Sequence, residues 1–125
     1  MKKFDFKLQS LLSYRNYLER LAQQRVAKAQ MDLLTCENMI RDLGNRYASG
    51  VLSRDKEMSA GVTAQRFHQH CQYLDQVDSA IKNQMAGKEK LKKILAEKIA
   101  ALKKRSIDKK VIERLKDRRI KECQQ

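Results

Sequence analysis

From Leu8 to Tyr47 apolar residues return every three or four positions, the spacing of one helix face. Leu11, Leu18, Ala22, Ala29, Leu33 and Ile40 mark that face, and the sets 11/22/33 and 18/29/40 repeat every 11 residues. From Val26 a heptad fits as well, through Ala29, Leu33, Cys36, Ile40, Leu43 and Tyr47. The two frames disagree near Arg25, which predicts a slip there and weak supercoiling. Asp5 is the candidate N-cap, since a carboxylate can accept from exposed first-turn amides. The pattern predicts a helix over about residues 6–48.

The stretch "GNRYASGVLSRDKEMSAG" follows, bracketed by Gly44 and Gly61 and enriched in Gly and Ser. A chain reversal is expected there, at about residues 50–61. Gly61-Val62-Thr63 marks the restart, with Thr63 as cap. The second apolar pattern runs through Phe67, Cys71, Leu74, Val77, Ile81, Met85, Lys88, Leu91, Leu95, Ile99 and Leu102, and predicts a helix over about 63–121. Gly87 interrupts it at a cost of about 1 kcal/mol relative to Ala.

One all-α domain follows from this: an antiparallel two-helix coiled-coil hairpin whose second helix extends past the first. With Tyr47 set beside Phe67, the numbers of facing residues sum to about 114. Leu33 then faces Ile81, and Leu11 faces Leu102 or Lys103. The final stretch "IDKKVIERLKDRRIKECQQ" is left without a partner. Its stripe of Ile107, Val111, Ile112 and Leu115 either frays with a charged terminus or offers a docking surface. Phe4 and Phe6 fall where the first helix stops covering the second. They are expected to cap the seam against Ile107 and Val111, or to touch a partner.

Composition narrows the function. The chain has no Pro, four Gly, no Trp and 34% charged residues, as helices burying a narrow seam do. Its net charge is +13, with +4 in residues 1–62 and +9 in residues 63–125. That field attracts acidic proteins, nucleic acid or anionic membrane. The run "KEKLKKILAEKIAALKKRSIDKK" lacks an aromatic platform or reader motif, so specific nucleic-acid recognition is not expected. No stretch reaches the roughly 18 apolar residues of a membrane span, and a cytoplasmic protein is expected.

Enzyme chemistry is absent from the pattern: no glycine-rich phosphate loop and no nucleophile elbow occur. His68 and His70 point to different helix faces and cannot share a metal in helical geometry. Cys36, Cys71 and Cys123 have no framework spacing, and the first two read as buried thiols. No cofactor and no metal are expected.

Three segments carry a resemblance. "FDFKLQSLLSYRNYLER" resembles the N-terminal signature of the FliJ family of flagellar type III export, through Phe4, Phe6, Leu8, Leu11, Leu12, Arg15 and Glu19. "GVTAQRFHQHCQYLDQVDSAIKNQ" is similar to the family's segment after the loop, with Gly61, Tyr73, Leu74 and Ile81. "KKVIERLKDRRIKE" is similar to its basic C-terminal run, with Lys110, Glu113, Leu115 and Lys116. The injectisome stalk proteins are similar in shape. The resemblance implies a non-enzymatic stalk that enters the ring of a hexameric export ATPase, meets the cytoplasmic region of the export gate and handles export chaperones. It implies a cytoplasmic protein held peripherally at the inner-membrane apparatus.

The basic ends of the hairpin suit an acidic ring lumen, so Arg15, Arg20, Lys103, Lys104, Arg105, Lys109, Lys110, Arg114, Arg118 and Arg119 are the candidate ATPase contacts. The resemblance places gate contacts near the loop, where Leu43, Tyr47, Tyr73, Val77 and Ala80 are the candidates. The residues alone leave two other readings open. One is a helical hairpin that bundles with an unrelated helix; the other is a basic coiled coil that binds nucleic acid nonspecifically.

Overall fold

A computed structural model describes residues 2–124. Two helices hold almost all of them: α1, Lys2–Ala60, and α2, Ala64–Gln124, packed against each other as an antiparallel hairpin. No strand occurs among the described residues.

The reversal takes three residues, 61–63, rather than the expected 50–61. Gly61 has φ +88°, a left-handed conformation that closes α1, and its N–H donates to Met58 O at 3.2 Å. Thr63 caps α2 as expected, its Oγ1 accepting from the Arg66 N–H at 3.1 Å. Helix continues through 50–60 because Gly50 is not a breaker here. It sits against α2, where an added Cβ would lie 2.8 Å from Leu74 Cδ2. The other end of α1 also differs: it begins at Lys2, so Asp5 lies in the first turn and is not its cap.

Moving the loop moves the register. Asp5 meets Arg119, Arg15 meets Asp108, Glu37 meets Lys88 and Glu57 meets Arg66, so paired numbers sum to about 124, not 114. The stretch from Ile107 is therefore covered by the start of α1. Its buried member is Ile112, clustered with Leu8 and Leu12, while Ile107 and Val111 stay half exposed. Phe6 is 75% exposed, and Phe4 lies over the Arg119 guanidinium at 4.9 Å. Neither caps the seam against Ile107 or Val111.

The slip near Arg25 is absent as well. Burial in α1 steps by fours and threes through Leu8, Leu12, Arg15, Glu19, Ala22, Val26, Ala29, Leu33, Cys36, Ile40 and Leu43. In α2 it steps through Leu74, Val77, Ile81, Gln84, Lys88, Leu91, Leu95, Lys98, Leu102, Arg105, Lys109 and Ile112. Leu11, Met85 and Ile99, expected in the seam, are exposed. Polar residues hold seam positions, and their alkyl stems supply the packing.

The described residues fall into two compact units, each with one stretch from either helix. The terminal unit comprises residues 2–30 and 93–124 of them, and the loop unit residues 31–92.

Candidate protein-docking surfaces

The terminal unit holds 19 Lys/Arg and 7 Asp/Glu, a net +12; the loop unit holds 9 and 8, a net +1. Folding the termini together thus gathers nearly the whole +13 into one unit. All ten candidate ATPase contacts lie there.

Four of those ten are seam residues. Arg15 Nη1 lies 3.5 Å from Asp108 Oδ2, and its Nε is buried without a hydrogen-bond partner, which costs about 1–3 kcal/mol. Lys109 Nζ donates to Glu19 Oε1 at 3.0 Å and lies 3.8 Å from Glu113. Glu19 is held below the usual carboxylate range by hydrogen bonds from Ser106 and Lys109, and Lys109 is raised in turn, chiefly by its hydrogen bond to Glu19. Arg119 Nε donates to Asp5 Oδ1 at 3.3 Å. Arg105 is half-buried. The other six, Arg20, Lys103, Lys104, Lys110, Arg114 and Arg118, are exposed and make no ion pair among the described residues. These six are the cations that an acidic surface would meet first.

In the loop unit the five candidate gate residues divide differently. Leu43 and Val77 are buried in the seam and Ala80 is half-buried. Tyr47 and Tyr73 are exposed, at 38% and 44%. Gly50 brings the Tyr73 ring down onto α1: an added Cβ there would lie 3.3 Å from Tyr73 Cε1. A shallow groove beside it is lined by Asn45, Arg46, Ser49, Ser53, His70 and Tyr73.

Next to the loop is a clamp that periodicity did not reveal. Arg66 Nε and Nη2 donate to the two oxygens of Glu57, each at 3.1 Å, and His70 Nε2 lies 2.6 Å from Glu57 Oε2. The Arg66 bonds, then His70, bring the Glu57 carboxyl down to about 2. Glu57 reads in sequence as one more solvated helix charge; only the three-residue loop brings it to Arg66. Cys36 is buried, its Sγ 3.3 Å from Gln84 O, while Cys71 is half-buried and Cys123 exposed.

No group of His, Cys, Asp and Glu among the described residues could hold a metal ion. No described helix is long and apolar enough to cross a membrane. Residues 4–125 match the family described as Flagellar FliJ protein. The chain belongs to the FliJ family. No curated protein and no solved structure matches it. Family membership makes the chain a component of flagellar type III protein export, in a family that is non-catalytic.

The structure also gives the resemblance a physical meaning. Of the seven signature positions, Leu8, Leu12, Arg15 and Glu19 are seam residues of this FliJ-family hairpin. Phe4, Phe6 and Leu11 are not.

Proposed function

We propose that this FliJ-family chain is a non-enzymatic stalk and escort whose terminal unit binds the hexameric export ATPase. The observation that carries the reading is the concentration of +12 in that unit, with six exposed cations uncommitted to internal pairs. Such charges act over about 8 Å at physiological salt, and hold a partner without a deep pocket. Contacts of this kind let a stalk shift among equivalent acidic sites of a ring during turnover. The catalytic groups belong to the ATPase. The loop unit, with Tyr47 and Tyr73 exposed, meets the cytoplasmic region of the export gate, since exposed amphipathic aromatics suit protein interfaces. Export chaperones are further partners. The protein works in the cytoplasm, peripherally attached to the inner-membrane apparatus.

The test is addition of the protein to purified export ATPase, reading ring assembly and ATP turnover at low and moderate salt. Stimulation is expected, and its loss is expected when Lys103, Lys104, Lys110 and Arg114 are changed to Glu. Lys109 stays as it is, because its partner is Glu19. Unchanged stimulation by the quadruple variant would remove the terminal unit as the ATPase contact.

A further inference from the structure

Within the terminal unit α1 carries two apolar rows, and only one of them is the seam. The seam row, Leu8, Leu12, Arg15, Glu19 and Ala22, is interrupted by a charged pair. The second row, one position before it, is apolar at Phe4, Leu11, Tyr14, Leu18 and Leu21 and basic at Lys7 and Arg25. It repeats with the same heptad period and contains no acid. Phe4, Leu11 and Tyr14 are 51%, 38% and 54% exposed, and Leu18 and Leu21 half-buried. On α2 the matching side of the heptad holds Ala101, Lys104, Asp108, Val111 and Leu115; Asp108 is paired with Arg15, and Val111 and Leu115 are exposed at 50% and 43%. The opposite flank of α1 reads Phe6, Gln9, Ser13, Asn16, Arg20 and Gln23, apolar only at its first position. The unit is thus two-faced beyond its own seam.

A helix with two heptad rows offset around its axis has the pattern of a member of a three-helix bundle, in which each row meets a different neighbour. Here α2 supplies one neighbour. A small cavity of about 90 Å³ lies on the second side, lined by Leu18, Leu21, Ala22 and Ala101 and edged by Arg25, Lys98 and Arg105. Lys7 and Arg25 stand at the two ends of the row, and Lys104 and Arg118 lie on the same side of α2, all exposed and without an ion pair among the described residues. An apolar row between cations fits a helix with an apolar stripe between acids. A second copy of this chain does not fit, because it would bring two +12 units together.

The geometry points to an acidic amphipathic helix of another protein docking on this row, its apolar side chains over Leu11, Tyr14, Leu18 and Leu115 and its carboxylates against Lys7, Arg25 and Lys104. The inference needs no ATPase and is carried by the apolar row rather than by charge, although Lys104 and Arg118 also belong to the cations assigned to the ring.

The probe is a labelled synthetic helix of about four heptads, with leucines at the core positions and Glu on both flanks. Fluorescence anisotropy against the full-length protein reads binding. A composition-matched scrambled peptide reports charge attraction alone. Saturable binding of the helix is expected, at least about tenfold tighter than the scramble. L11Q/Y14S should weaken it by about the same factor, and V111Q/L115Q, on α2, should do likewise. Q9A/Q23A, on the opposite flank, should leave it unchanged. Circular dichroism confirms folding, and either row variant that folds suffices. Equal binding of helix and scramble, or unaltered binding by a folded row variant, overturns the proposal. So does sedimentation showing a dimer that L11Q/Y14S dissolves, since the row would then be covered by a second copy.

Discussion

Gly50 sits mid-helix, where glycine costs about 1 kcal/mol relative to alanine through backbone entropy alone. An alanine there recovers that amount and adds one methyl. The methyl would stand 2.8 Å from Leu74 Cδ2 and 3.3 Å from Tyr73 Cε1, and Leu74 is only 4% exposed, with little room to move. Overpacking of this kind costs about 1–3 kcal/mol, so Gly50→Ala should be neutral to destabilising by about 2 kcal/mol. Gly44 and Gly87 are internal controls: both are helical, and an added Cβ meets nothing within 4 Å. Each should gain about 0.5–1 kcal/mol as alanine. Urea unfolding followed by circular dichroism separates the three variants. If Gly50→Ala stabilises as much as Gly44→Ala does, Leu74 is not packed on the Gly50 backbone. The register of about 124 would then be wrong, along with the covering of the C-terminal stretch that follows from it.

Ile112→Ala should cost about 2 kcal/mol or more by cavity formation, whereas Ile107→Ala should stay within about 0.5 kcal/mol, reversing the expectation from the apolar stripe; denaturant midpoints check both. Acid should weaken the hairpin through Glu57 and Glu19, whose folded values lie below their ordinary 4.5. For Glu57 the contribution is fully present above about pH 4.5 and is lost as pH falls toward about 2, because the unfolded carboxylate takes up its proton first. Glu57→Gln should flatten the fall in stability across that window, and an unaltered slope would mean that the Arg66 and His70 bonds do not persist in solution.

The two-helix architecture was legible because a chain without Pro, with helical spacing at both ends, has few other ways to fold. The loop was not, because Gly serves two purposes that look alike in sequence. Gly61 supplies a positive φ, while Gly50 supplies a close approach. Reading Gly50 as a breaker shifted the register by about ten residues and left Ile107–Gln125 without a partner. The seam was blurred for a different reason. Arg15, Glu19, Gln84, Lys98 and Lys109 occupy seam positions, while Leu11, Met85 and Ile99 sit one residue away in water, so apolar periodicity tracked the wrong residues. The basic ends were visible from composition. Which cations remain available was not, since that depends on Asp5, Glu19 and Asp108 lying opposite Arg119, Lys109 and Arg15.

The three-residue loop also orders events in time. Glu57 and Arg66 are nine residues apart in the chain, while Asp5 and Arg119 are 114 apart. Closing the long separation directly costs more entropy than extending pairing already begun beside the loop. Pairing is therefore expected to start at the Glu57 clamp and zip outward, with the terminal unit closing last. Nascent chains follow the same order, because residues 93–125 leave the ribosome only after the loop unit is complete. The surface richest in positive charge thus comes into being at the final step, and anything acidic that meets the chain before then meets two separate helices rather than a finished face.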